Sequence, residues 1–258
     1  MLQIRNLNKT FNKGTINEKV VFNSFSLDVK EEDFITIIGS NGSGKSTLLN
    51  IISGLLKEDD GYLRLNNKNM AKMPEYKRTK SISRVFQDPS MGTSPSMTIL
   101  ENLSMAYNKG KKFGLSMGVN KKNIKYFKEI LSQLSLGLED QLNTKVGLLS
   151  GGQRQALSLI MATMSQPDLL LLDEHTAALD PKTSKTILDL TKNIVKKKKI
   201  TTLMITHNLN QAIEVGNRLL MFHQGKVIVD IAGEEKKSLT IDKLMDYFQQ
   251  IQLNMCRG

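Results

Sequence analysis

The stretch Gly39-Ser40-Asn41-Gly42-Ser43-Gly44-Lys45-Ser46-Thr47 decides the fold of this 258-residue chain. It matches G-x-x-x-x-G-K-[ST] and lies between a β-branched apolar run at 33–38 and an apolar run at 48–52. This context predicts a buried strand, a glycine-rich turn and a helix. The glycines let consecutive N–H groups point inward beside the helix N-terminus, so the stretch is predicted to bind phosphate groups.

Two side chains of this loop have predicted roles toward a nucleotide. Lys45 can reach the β- and γ-phosphates, and Ser46 offers a hydroxyl oxygen to Mg²⁺. A glycine-rich turn could match the pattern by accident. The strand before the loop and the helix after it argue against that alternative, so we interpret all nine residues as nucleotide-binding positions.

Composition limits the class of protein. The length suits one sizeable core, and the formal net charge of +11 fits polyphosphate, an anionic membrane surface or nucleic acid. Nucleic acid is disfavoured because the chain has no basic strand interleaved with aromatic residues. The single cysteine, Cys256, excludes an intrachain disulfide and favours a reducing compartment. We expect no signal peptide and no membrane-crossing segment, because no uncharged apolar run approaches about 18 residues.

The remaining sequence shows three kinds of pattern. Short β-like runs in residues 1–35, and another at 61–66, predict an antiparallel β-lobe. Apolar residues at helical spacing from about 98 to 165 predict an inserted helical lobe. From 168 onward strands and helices alternate, which predicts a largely parallel sheet. The predicted fold class is therefore α/β.

A second anion-binding device lies at 149–155, where LSGGQRQ precedes a helix-like run. Ser150 is placed to cap that helix, and Gly151 and Gly152 open its N-terminus, with Gln153 in the first turn. A single nucleotide bound to one domain does not need two separate phosphate-binding helix N-termini. We therefore predict that this loop serves a nucleotide held by another copy, in a head-to-tail pair with composite sites. An ordinary capped helix is the alternative.

These motifs resemble those of the ATPase subunits of ATP-binding cassette (ABC) transporters over nearly the whole chain. The resemblance rests on LSGGQRQ, on its position after the loop at 39–47, and on LLLLDE at 169–174. It implies ATP and Mg²⁺ as ligands and a P-loop NTPase fold with a RecA-like core. The expected organisation is a single domain, 1–258, with a β-lobe at about 1–35 and 60–70, a helical lobe at about 88–165, a tail helix at about 239–251 and the core in the remainder.

The resemblance also implies roles for single residues. Gln87 is similar to the glutamine that joins core to helical lobe and contributes to catalysis and metal binding. Asp180 lies in a segment similar to the dimer-contact loop, and His207 is similar to the switch histidine that assists catalysis. Phe11 is similar to the aromatic residue that stacks on adenine, which is usually tyrosine.

Two strand ends add chemical reasons to these roles. Asp173 ends an apolar strand, where its carboxylate can hold Mg²⁺, and Glu174 can orient or deprotonate the attacking water. A helix cap is the alternative for this pair. His207 follows a second β-branched strand and is expected to contact the γ-phosphate. We expect no catalytic role for His175, where many family members have proline, and we interpret His223 as a solvated turn residue.

The implied function is an ATP-hydrolysing subunit that powers a membrane transporter, in a bacterial subgroup that imports small solutes such as amino acids. An exporter subunit, or an ATPase of a non-transport complex in cell division or Fe–S assembly, is the alternative. Partners implied are a second ATPase subunit, transmembrane permease subunits and an extracellular substrate-binding lipoprotein, with the chain at the cytoplasmic face of the membrane.

Two surfaces are candidates for contact with the membrane partner. The segment 88–103 is expected to receive a permease helix through exposed Met91, Met97 and Ile99. A cluster of lysines in the helical lobe is a candidate for anionic lipid headgroups. Its members are Lys109, Lys111, Lys112, Lys121, Lys122, Lys125 and Lys128.

Overall fold

The computed structural model describes residues 1–71, 73–111 and 118–255, with side chains up to residue 250. Lys112 and Cys256 lie outside the described residues. The chain divides into two compact units, one of residues 1–78 with 201–258 and one of residues 79–200.

The described residues contain strands β1–β10 and helices α1–α9. The strands are β1 (Leu2–Phe11), β2 (Lys19–Val29), β3 (Phe34–Gly39), β4 (Asp60–Leu65), β5 (Lys68–Asn69), β6 (Ile82–Val85), β7 (Leu169–Asp173), β8 (Thr201–Ile205), β9 (Arg218–His223) and β10 (Lys226–Ala232). The helices are α1 (Lys45–Ser53), α2 (Glu75–Arg78), α3 (Ile99–Tyr107), α4 (Ile124–Ser132), α5 (Gly151–Met164), α6 (Pro181–Lys198), α7 (Leu209–Glu214), α8 (Glu234–Lys237) and α9 (Ile241–Met255).

The first unit contains an antiparallel sheet with the strand order β2-β1-β4-β5. Leu2, Ile4 and Leu7 of β1 are buried, while residues between them reach the surface. This alternation is the pattern of a sheet with one covered face. The sheet confirms the predicted antiparallel β-lobe.

The same unit contains the strands β10-β9-β3-β8, in that order. Strand β3 pairs in parallel with β8 and with β9, while β10 pairs antiparallel with β9. Every residue of β3 and β8 is buried, as expected for parallel strands covered on both faces. A core cluster that includes Ile38, Met221 and Leu244 attaches α9 to this sheet. The observed strand–loop–helix and parallel pairing confirm the predicted α/β fold class.

The second unit joins four longer helices, α3 to α6, to the parallel strand pair β6 and β7. Its core includes Leu103, Phe127, Leu131 and Leu157, each fully buried. Among the described residues, no helix combines the length and the apolar character that a bilayer-spanning segment needs.

The structure corrects two predictions about exposure. Met91 is 67% exposed and Met97 is half-buried, but Ile99 is fully buried, so its predicted place on a docking surface is wrong. Ile99 begins α3, and its N–H donates to the carbonyl oxygen of Thr144, which holds that turn inward. His223 is the last residue of β9 and is half-buried, so it is not the solvated turn residue that the sequence predicted.

Candidate functional site

The predicted site residues are divided between the two units. The first unit contains the loop 39–47, Phe11 and His207. The second unit contains Gln87, Ser150–Gln153, Asp173, Glu174 and Asp180.

The loop 39–47 follows the carboxyl end of the buried strand β3. Gly39 has φ +146°, and a Cβ there would lie 2.2 Å from the carbonyl oxygen of Phe222. Only glycine tolerates so close an approach between β3 and β9. At the other end of the loop, Gly44 precedes α1 with φ +104°. The strand and the helix therefore fix both ends of the loop.

Lys45 is buried, and its ammonium group lies within the loop. Nζ donates to the carbonyl oxygens of Gly39 at 2.8 Å and Ser40 at 2.9 Å, and it lies 3.4 Å from Ser43 Oγ. A phosphate oxygen is a stronger, charged acceptor than these carbonyls. Ser46 is exposed, and the first turn of α1 has no acidic residue. The loop can thus offer an anion the helix N-terminus, an ammonium group and a hydroxyl group.

Phe11 and His207 also belong to the first unit. Phe11 ends β1 with a half-exposed ring, and Lys9 Nζ lies 5.6 Å from the ring centroid. A partly exposed ring is able to stack on a nucleotide base. His207 is exposed directly after β8. Because β8 and β3 are parallel neighbours, His207 follows the same sheet edge that leads into the loop 39–47.

In the second unit, Ser150 and Gln153 form a reciprocal cap on α5. Ser150 Oγ accepts a hydrogen bond from the Gln153 N–H at 3.2 Å, and Gln153 Oε1 accepts one from the Ser150 N–H at 3.1 Å. Ser150 is exposed, and accepting this bond leaves its hydroxyl proton able to donate to an anion. The capped N-terminus of this 14-residue helix therefore suits a phosphate group.

Two residues of the same motif attach α5 to its surroundings. Gly152 is buried, and a Cβ there would lie 2.3 Å from Cγ2 of Thr183 on α6. Gln155 is buried, and its Nε2 donates to the carbonyl oxygen of Phe86 at 3.1 Å. Phe86 precedes Gln87, whose side chain is exposed. Sequence reasoning missed Gln155, because a glutamine one turn inside a helix gives no sign of a distant backbone partner.

Asp173 ends β7 and forms an ion pair with Arg84 of the neighbouring strand β6. The two side chains are 15% and 8% exposed, so the pair is largely removed from water. The Arg84 guanidinium also lies 4.7 Å from the centroid of the Phe86 ring. Sequence reasoning missed Arg84, which lies 89 residues before its partner.

Glu174 and His175 form the turn that leaves β7. Glu174 has φ +47°, and its carbonyl oxygen accepts from the Ala177 N–H at 2.9 Å. Its carboxylate is half-exposed. His175 is fully buried, with Nε2 3.1 Å from Thr191 Oγ1, and burial lowers the pKa of its imidazole to about 4. His175 is therefore neutral near pH 7 and ties the turn to α6.

Asp180 caps α6, which follows this turn. Its carboxylate accepts from the Thr183 N–H at 3.0 Å, and hydrogen bonding to the Thr183 side chain and backbone lowers the pKa of Asp180. Asp180 and Thr183 thus place the exposed start of α6 next to Gly152 of α5.

The sequence is similar to those of known proteins over nearly the whole chain. The family model for ABC transporters matches residues 22–177. A tyrosine transport ATP-binding protein of Clostridioides difficile is 51% identical over 249 residues, which cover 96% of this chain and 99% of the relative. The xylose/arabinose import ATP-binding protein of Sulfolobus acidocaldarius is 33% identical over 256 residues, covering 99% and 97%.

Among solved structures, the fold is similar to a dimeric ATP-binding cassette in a post-hydrolysis state bound to ADP and Pi. The TM-score is 0.77 at 30% identity, covering 90% of this chain and 98% of that one. These matches confirm the predicted family and ATPase activity. The chain belongs to the ABC transporter family, as an ATP-binding and ATP-hydrolysing subunit of the importer type.

Proposed function

We propose that this chain binds MgATP at the loop 39–47, hydrolyses it with Glu174 as the residue that activates water, and so powers import of an amino acid. The loop carries the proposal, because it presents a helix N-terminus and the Lys45 ammonium to one anion. The similarity to a tyrosine transport ATP-binding protein supports an aromatic amino acid as the transported solute.

The residues available also suit Mg²⁺. Ser46, Gln87 and Asp173 would hold the ion through a hydroxyl, an amide and a carboxylate oxygen, which are the donor atoms that it prefers. When bound, Mg²⁺ neutralises charge on the phosphates. Lys45 holds the β- and γ-phosphates, His207 contacts the γ-phosphate, and Phe11 stacks on adenine.

The LSGGQRQ segment at 149–155, called the signature motif below, completes the proposed site from a second copy. In this arrangement Ser150, Gly151, Gly152 and Gln153 of one copy face the γ-phosphate held by its partner, and Asp180 lies in the contact between copies. The remaining proposed partners are transmembrane permease subunits and an extracellular substrate-binding lipoprotein. The chain would then work at the cytoplasmic face of a bacterial membrane.

The catalytic assignment is tested by Glu174→Gln, which keeps the size of the side chain and removes its basic carboxylate. We expect ATP binding to persist and turnover to fall about 10²-fold or more, with ATP-dependent dimers accumulating on size exclusion. Glu235→Gln is the matched control, since Glu235 is exposed on α8 and should leave turnover unchanged. Turnover in Glu174→Gln equal to that control would refute the role of Glu174.

The transport assignment needs the assembled complex. Co-purification from detergent with a polytopic membrane protein is expected, followed by reconstitution in vesicles with its binding protein. Tyrosine should then stimulate ATP hydrolysis more than xylose does. Equal stimulation by both solutes would contradict an amino-acid importer, while leaving the ATPase assignment intact.

A further inference from the structure

Lys19 places a second ammonium group beside the nucleotide loop. It is the first residue of β2 and is exposed. A Cβ built on Gly42, in the middle of the loop, would lie 3.4 Å from Lys19 Nζ. Lys45 contacts Gly39, Ser40 and Ser43 instead, so two ammonium groups from different elements lie on different parts of one anion-binding loop.

The surroundings of Lys19 leave its charge available. The nearby Lys9 is held by Asp59, with Nζ 2.7 Å from Oδ1. Within residues 1–71, 73–111 and 118–255, the structure gives Lys19 no carboxylate partner. An exposed lysine is ordinarily solvated and makes no specific contact. At Gly42, however, the ammonium group lies next to a loop whose N–H groups and helix end attract anions.

The strand register indicates which part of a nucleotide Lys19 would meet. Lys19 lies directly opposite Phe11 in the β1–β2 pairing. Phe11 is the proposed base-stacking residue, and Lys45 is the proposed partner of the β- and γ-phosphates. A side chain that starts beside Phe11 and ends at Gly42 therefore bridges the base end and the phosphate end of the site.

We propose that Lys19 binds the α- and β-phosphates of the nucleotide and is a second phosphate-binding lysine of this chain. The inference rests on the proposed function of the loop 39–47. ATP and ADP share these two phosphates, so Lys19 stabilises both complexes equally. It adds affinity without discriminating the substrate from the product.

The test is isothermal titration of the purified chain with MgADP and MgATP. Lys19→Gln is expected to weaken binding of both nucleotides by the same factor, about tenfold, as for one solvent-exposed charge-assisted hydrogen bond. Lys13→Gln is the matched control, because it removes the same charge from an exposed position in the connection that leads into β2. Lys19→Arg keeps the positive charge and should keep most of the nucleotide affinity. It therefore shows whether β2 tolerates a substitution at this position.

The outcomes separate this inference from the proposed function. Equal affinities for Lys19→Gln and Lys13→Gln would overturn the Lys19 contact while the loop assignment stands. A loss confined to ATP would overturn the assignment to the α- and β-phosphates. If Lys45→Ala bound both nucleotides as tightly as the wild type, the loop itself would not be the nucleotide site.

Discussion

The ion pair between Arg84 and Asp173 gives a stability prediction that can be worked from the structure. Arg84→Gln leaves the Asp173 carboxylate at the end of β7 without its cation. Loss of one partner from a fully buried pair costs about 3–5 kcal/mol, and the 8% and 15% exposures place this pair near the lower end. Loss of the contact with Phe86 adds about 0.5–1 kcal/mol. We therefore expect a decrease of about 3.5–4 kcal/mol in the free energy of unfolding.

The assay is urea unfolding in EDTA, followed by circular dichroism. Arg64→Gln is a matched control, since Arg64 lies 5.0 Å from the Tyr62 ring on an exposed part of β4 and should lose less than about 1 kcal/mol. In a double-mutant cycle with Asp173→Asn, the double variant should be more stable than additivity predicts, by about 2 kcal/mol.

Two results would refute this reasoning. A loss for Arg84→Gln no larger than for Arg64→Gln would mean that the buried carboxylate does not need its guanidinium partner. A coupling energy near zero would mean that Arg84 stabilises the unit through packing alone.

Three further predictions concern other parts of the chain. Folding lowers the pKa of His175 from its ordinary 6.5 to about 4, so between these pH values the unfolded chain binds a proton that the folded chain does not bind. As the pH falls from 6.5 to 4, the free energy of unfolding should therefore drop by about 3 kcal/mol more in the wild type than in His175→Gln, and parallel pH profiles would contradict this. Gly225→Ala places Cβ 1.7 Å from the Val21 carbonyl oxygen. Gly14 also has a positive φ but has open space around its Cβ position, so Gly14→Ala should cost only about 1 kcal/mol in urea unfolding, and Gly225→Ala should cost several-fold more. Because Met91 is exposed and Ile99 is buried, Met91→Glu should leave the melting temperature within about 1 °C of wild type, while Ile99→Glu should lower it by several degrees. Equal shifts would show that Met91 also packs in the core.

The sequence was most informative where one short segment determines its own geometry. Strand β3, the loop 39–47 and α1 were predictable because the glycine spacing, the apolar strand and the Lys-Ser-Thr start of the helix agree at every level. The cap on α5 was predictable for the same reason, since Ser150 and Gln153 are three residues apart. The site assignments themselves remain predictions that the binding and turnover experiments test.

Contacts between distant segments were not predictable. The Arg84–Asp173 pair and the Gln155–Phe86 hydrogen bond join residues 89 and 69 positions apart, and no spacing rule specifies them. The error at Ile99 has a different origin. Ile99 and Leu103 lie four residues apart and both are buried, so they share the inner face of α3. The prediction of a docking surface placed Ile99 on the exposed face, although this spacing indicates that it is buried.

The contacts of α5 connect the signature motif to three other segments of its unit that carry proposed functional residues. Gly152 packs on Thr183, which is hydrogen-bonded to Asp180, and Gln155 holds the backbone just before Gln87. A Cβ on Gly92 would lie 2.6 Å from Ser158 Oγ, so the turn that carries the exposed Met91 also packs on this helix. Because each contact is close, a displacement of α5 by a phosphate at its N-terminus must move these segments or break the contacts. Events at the signature motif can therefore reach the surface at Met91 through packed atoms within one unit.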